Sequence, residues 1–148
     1  MFHIDYSKDI ILQTDASDRG VGGVLFQVGH QGDIEPVMFM SHTLSAVEQR
    51  WPTGEQEAYA IKYCVERAEH YLRGVHFTLQ TDHANLRFMS SAKSQKIQRW
   101  HSYLADFSFD VVHIKGESNV IADALSRVGH EQHNIKILSI DDSLFEEI

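Results

Sequence analysis

One tetrapeptide occurs twice in this chain, as Leu12-Gln13-Thr14-Asp15 and again as Leu79-Gln80-Thr81-Asp82. Each copy follows apolar residues and reads as a short strand that stops at a carboxylate. Strand side chains alternate with a period of two, so strands with the same pattern present their terminal Asp on the same face. If the two strands are parallel neighbours, two carboxylates meet at one sheet edge, which is the beginning of a metal site. A single Asp in such a place is better explained as the start of a turn, and Asp18-Arg19-Gly20 does follow the first copy. The repetition is what favours the site.

The chain has 148 residues, 43% of them hydrophobic, which suits one domain with a substantial core. It has no apolar run of the roughly 20 residues needed to cross a bilayer. The first residues lack the charged-then-apolar pattern of an export signal. Cys64 is the single cysteine, so no disulfide framework exists and an intracellular setting is expected. His130 and His133 stand in a polar stretch without Cys partners, which does not make a structural zinc site. A net charge of −8 argues against an isolated nucleic-acid clamp with a basic footprint. It leaves room for a nuclease, because acids that hold metal contribute negative charge that bound cations offset.

Residues 1–9 read as a run-in from an upstream region. A first strand from Ile10 is joined through the Asp18–Gly20 turn to a second, Val21 to Gln27, and a third follows from Pro36 to Ser41. Short turns make these three a meander. Between 53 and about 73 the apolar residues fall at helical spacing: Ala60, Ile61, Cys64, Val65, Ala68, Tyr71 and Leu72. Thr53 with Gln56 has the spacing of a capping box, and Gly74 is a stop. A strand from His76 to Asp82 comes next. A helical crossover between strands is the parallel, right-handed connection, which places this fourth strand beside the first. A short helix is expected at 84–89 and a longer one at 95–106, with Ile97, Trp100, Tyr103 and Leu104 on its apolar side. A fifth strand spans 107–114, and a last helix spans 120–127 with Asp123 off its core face. Domain limits are expected at 10–128, with 129–148 as a linker or tail that includes an apolar patch at 135–140.

Four segments now stand in order: Thr14-Asp15-Ala16-Ser17, Glu55-Gln56-Glu57 opening a helix, Thr81-Asp82-His83, and Ala122-Asp123-Ala124-Leu125-Ser126-Arg127. Together they resemble the ribonuclease H domain of gypsy-class LTR retrotransposon polyproteins, over residues 10–127. The stretch 41–48 is also similar to the family's approach to its first helix. Departures are Trp51-Pro52, where the family often has an aromatic and a hydroxyl residue, and Ala84, where it often has a basic one. The loop 115–119 is short and lacks the mobile His of retroviral and cellular relatives.

The resemblance implies an α/β ribonuclease H-like fold, a five-stranded mixed sheet of a meander plus two parallel strands, flanked by helices. It implies that Asp15, Glu57, Asp82 and Asp123 hold two Mg²⁺ ions, with Mn²⁺ able to substitute. The activity implied is endonucleolytic cleavage of the RNA strand of RNA–DNA hybrids during reverse transcription, leaving 5′-phosphates. The implied partners are the hybrid and the adjacent polymerase region of the same polyprotein, in a cytoplasmic particle and without a membrane. The competing readings are an inactive module of the same fold with a structural or dimerisation role, and a related nuclease that cuts DNA.

Helix phase separates two nearby acids. Ile61, Cys64 and Ala68 continue backwards to Glu57 at steps of four, three and four, so Glu57 ends the buried face. Glu55 aligns with Tyr59, Lys62 and Glu66 on a face expected to be mostly solvated, its charge accounted for by the helix dipole. His83 either tunes the site or satisfies a turn. Arg87, Lys93, Lys96 and Arg99 form the densest basic group and are the candidates for phosphate contact, although a charge run is also a common solvated face. Trp51 and Trp100 read as packing residues rather than base-stacking platforms.

Overall fold

The computed structural model describes residues 3–82 and 94–114. Strands β1 (Asp9–Ala16), β2 (Gly20–Val28) and β3 (Ile34–Thr43) are followed by helices α1 (Thr53–Arg67) and α2 (Glu69–Leu72). Then come β4 (His76–Thr81), α3 (Gln95–Leu104) and β5 (Ser108–His113). The five strands form one sheet in the order β3-β2-β1-β4-β5. The meander β1–β3 is antiparallel, whereas β4 pairs parallel with both β1 and β5. Both the mixed five-stranded sheet and the parallel crossover expected from the sequence are present. Residues 84–89, 115–119, 120–127 and 129–148, on which several expectations fall, lie outside the described residues.

The β1–β4 register aligns the two copies of the repeat residue for residue. Leu12 pairs with Leu79 and Gln13 with Gln80, so two further residues of each strand bring Asp15 to the level of Asp82. Leu12 and Leu79 are fully buried and share a core with Ala58, Ile61, Cys64, Val65, Phe77, Ile97 and Trp100. This core lies between the sheet and helices α1 and α3. Gly23 of β2 permits the close approach of α1: a Cβ there would stand 2.5 Å from Cys64 Sγ and 2.9 Å from the Gln13 carbonyl oxygen. Pro36 sits at a bulge in the edge strand β3, where the register shifts between Leu25 and Phe26. An edge strand at a bulge is where a residue without an N–H is tolerated.

The helical region departs from expectation in two ways. It is divided at Ala68 (φ −103°, ψ 15°) into α1 and α2, rather than running unbroken to Arg73. The break lets Leu72 turn into the core, and Gly74 (φ +78°) ends the segment. The capping box at Thr53 and Gln56 does not form, because α1 begins one residue early and Pro52 takes the N-cap place without a side-chain bond. Gln56 instead donates to the carbonyls of Glu48 and Gln49, both at 3.2 Å. The reciprocal box is made upstream, where Ser45 N–H donates to Glu48 Oε1 (2.8 Å) and Glu48 N–H to Ser45 Oγ (3.2 Å).

Candidate metal centre

Asp15 occupies the second-last position of β1, and the turn behind it is pinned by Ser17. The Ser17 N–H donates to the Gly20 carbonyl at 2.8 Å, while Ser17 Oγ accepts from the N–H groups of Arg19 (3.3 Å) and Gly20 (3.2 Å). Asp82 is the residue directly after β4. Its carbonyl is within 2.8 Å of His113 Nε2, and the neighbouring Thr81 carbonyl accepts from Ile114 N–H at 2.9 Å. β5 therefore braces the backbone that presents Asp82. Glu57 comes from the second turn of α1, on the same side as Ile61 and Cys64, and that side is buried.

These three acids converge. Asp15, Glu57 and Asp82 each offer a carboxylate oxygen, and the three oxygens lie within 4.8 Å of one another. Asp15 is only 4% exposed and Glu57 6%, and Asp82 is half-buried. Charges of one sign so close repel strongly where solvent screening is reduced, and oxygen donors at this spacing can hold a divalent cation. The cluster could bind a metal. Beneath the acids, Gln13 Nε2 donates to Gln80 Oε1 at 3.2 Å. This buried amide pair joins the two strands one turn of the pleat before their carboxylates, and its signal in the sequence is the repeat itself, which contains both residues.

Of the other sequence candidates, Asp123, His83, Arg87 and Lys93 lie outside the described residues. Arg99 is exposed on α3. Lys96 is engaged with protein groups: its Nζ lies 3.2 Å from Glu55 Oε1 and 3.7 Å from the centre of the Trp51 ring. Glu55 is thus not on a solvated face as expected, because α3 packs across the start of α1 and covers it. Tyr59, on the same face, is enclosed by Trp51 and Trp100, with ring centres 5.4 Å away in both cases. Trp100 is a core residue and Trp51 packs against it, in keeping with a packing role for both. Sequence spacing alone gave no sign of this inter-helix cluster, since its members are about 40 residues apart.

An open mixed sheet with three acids meeting at the carboxyl ends of its central parallel strands defines a ribonuclease H-like domain. Residues 5–107 match the family described as RNase H-like domain found in reverse transcriptase, and the chain belongs to that family. It is 37% identical over 132 residues to the retrovirus-related Pol polyprotein from transposon 297 of Drosophila melanogaster, covering 88% of this chain and 12% of that protein. It is 36% identical over 148 residues to the transposon Tf2-3 polyprotein of Schizosaccharomyces pombe, covering 96% of this chain and 11% of the polyprotein. The chain thus spans about an eighth or less of the length of these relatives. Among solved structures, LC11-RNase H1 in complex with RNA/DNA hybrid superposes with a TM-score of 0.59 at 18% identity, over 80% of this chain and 94% of that one. At that identity the likeness concerns the fold.

Proposed function

We propose that this chain is the endonuclease that hydrolyses the RNA strand of RNA–DNA hybrids within a retrotransposon reverse transcriptase polyprotein. Its ligand set is Asp15, Glu57, Asp82 and Asp123. The observation that carries this reading is the convergence of three acids, from β1, α1 and the end of β4, into one group spanning 4.8 Å. The donor set fits magnesium, which prefers hard oxygen ligands and keeps some waters, leaving room for a substrate phosphate. When bound, a pair of such ions supplies a water of lowered pKa and charge stabilisation for the leaving oxygen. The residues supply the rest. Asp15 and Asp82 are fixed by paired strands, which limits their motion relative to each other. Glu57 closes the group from the helix, and the burial of Asp15 and Glu57 strengthens every charge interaction they make. Asp123 adds a fourth carboxylate by its place in the family pattern. Preference for RNA rests on the 2′-hydroxyl, the group that distinguishes the two strands of a hybrid.

The retrotransposon polyproteins among its relatives support the setting, in which residues 10–128 act as the ribonuclease unit beside the polymerase region of a cytoplasmic particle. The RNA/DNA hybrid held by LC11-RNase H1 supports the substrate. The test is an assay with labelled hybrid, duplex RNA and duplex DNA, each with Mg²⁺, with Mn²⁺ and with chelator. Cleavage confined to the RNA of the hybrid, dependent on the cation and leaving 5′-phosphates, is the expected result. Cleavage of duplex DNA, or of hybrid in the presence of chelator, overturns it.

A further inference from the structure

The first turn of α1 carries little local support. Its N-cap is Pro52, which makes no side-chain bond, and Gly54 adds backbone freedom inside the turn. Glu57 stands directly after this weak start. Contacts from outside the helix hold it instead. Gln56 reaches back to the carbonyls of Glu48 and Gln49. Lys96, from the first turn of α3, places its ammonium 3.2 Å from Glu55 Oε1, 3.7 Å from the centre of the Trp51 ring and 5.7 Å from that of Trp100. The two charged side chains are 27% and 21% exposed, so the pair is partly withdrawn from solvent screening. A cation in a helix's first turn faces the positive end of the dipole. Within α3 it meets the more distant Trp100 ring, and its closer partners, Glu55 and Trp51, lie at the start of α1.

We propose that Lys96 is a positioning residue for Glu57. Held between the Glu55 carboxylate and the Trp51 ring, its ammonium fixes the first turn of α1 against α3 and so keeps the Glu57 carboxylate beside Asp15 and Asp82. This rests on reading the three acids as a cation site. It moves Lys96 out of the group of phosphate contacts to which sequence alone assigned it, since an ammonium already shared between a carboxylate and a ring face has little capacity left for a phosphate. It also gives Glu55 a function, as the anchor of the residue that orients its neighbour.

The test measures Mn²⁺ binding to the whole chain by titration calorimetry, for the parent and for Lys96→Met, Lys96→Arg and Glu55→Gln. Thermal melts of each protein without metal report whether it folds. Lys96→Met and Glu55→Gln should each weaken Mn²⁺ binding about tenfold, the lower end of the 10–100-fold effects seen when groups behind metal ligands are removed. Lys96→Arg should recover most of the loss, because a guanidinium keeps both the ion pair and the ring contact. The salt dependence of hybrid binding should not change in Lys96→Met. Unaltered Mn²⁺ affinity in Lys96→Met and Glu55→Gln overturns the proposal, as does a salt slope smaller by about one unit, the mark of a lost phosphate contact. If Lys96→Met fails to fold, the Glu55→Gln and Lys96→Arg pair decides by the same criteria. A parent chain that binds no Mn²⁺ overturns the cation-site reading itself, a result distinct from a parent that binds and variants that match it.

Discussion

At the scale of single residues, Glu57 and Cys64 share one helix face and differ in what burial does to them. Glu57 is buried beside two other acids, an arrangement that makes sense for an anion with a cation to hold. Replacing it by Gln keeps shape and polarity and removes the charge. Glu57→Gln should abolish metal-dependent cleavage while leaving the far-ultraviolet circular dichroism unchanged, and it should remove the rise in melting temperature expected of the parent in Mg²⁺. A Glu57→Gln protein that cleaves at the parent rate would show that the ligand lies elsewhere. Cys64 is fully buried, and that burial pushes its thiol well above its ordinary pKa. Only the thiolate is reactive, so the native thiol should resist a thiol reagent at pH 8. Rapid labelling before unfolding would contradict the packing of α1 on the sheet.

Between elements, two further contacts help to set how the helices sit. The first is the approach of α1 to β2 over Gly23. A methyl group there meets both a sulfur and a backbone carbonyl, and the carbonyl belongs to β1 and cannot turn aside. Gly23→Ala should destabilise the protein by about 1–3 kcal/mol, the usual cost of overpacking. Cys64→Ala in the same chain should return part of that loss, giving a measurable coupling in a double-mutant cycle. Strict additivity in chemical denaturation would mean that the helix had moved away instead. The second contact joins α2 to α3: the Tyr103 hydroxyl donates to Glu69 Oε1, which also accepts from Arg73 at 3.3 Å. Tyr103 first and Arg73 next hold the Glu69 carboxyl below its ordinary pKa. A depressed folded pKa means that the contribution is complete above the unfolded value and is lost as the pH falls through the folded one. The difference in stability between parent and Tyr103→Phe should therefore be constant near neutrality and shrink below about pH 4, where glutamates protonate. A difference that persists to pH 2 would show that the hydroxyl, rather than the ionised carboxylate, carries the effect. Both groups are partly exposed, so the effect should be small.

For the whole molecule the dominant quantity is charge. The chain carries −8 and concentrates three acids at one point. A cation that binds only the folded state stabilises it by mass action, by about 2.7 kcal/mol when its concentration is 100 times Kd. Millimolar MgCl₂ should accordingly raise the melting temperature, and NaCl of equal ionic strength should not. The same charge limits substrate affinity. Few phosphates can be neutralised by so acidic a chain, so hybrid binding should be weak with a shallow dependence on salt. Tight binding at high salt would reveal a basic surface outside the described residues.

What the sequence determined by itself is local and periodic. The recurrence of Leu-Gln-Thr-Asp, the period-two runs and the helical stripe through Ile61, Cys64 and Ala68 fixed the element types among the described residues and the crossover. They also fixed which of two glutamates lies inward. All of these follow from backbone periodicity and chain connectivity, which adjacent residues encode. The tertiary structure decided what depends on distant residues meeting. It aligned Gln13 with Gln80, required Gly23 to clear Cys64, and moved the capping box from Thr53 to Ser45. It also covered Glu55 with Lys96 and Trp51, on a face that periodicity reads as solvated. Helical spacing tells which residues share a side, but whether that side meets water or a neighbour is settled by what packs there, and α3 arrives from 40 residues further along the chain.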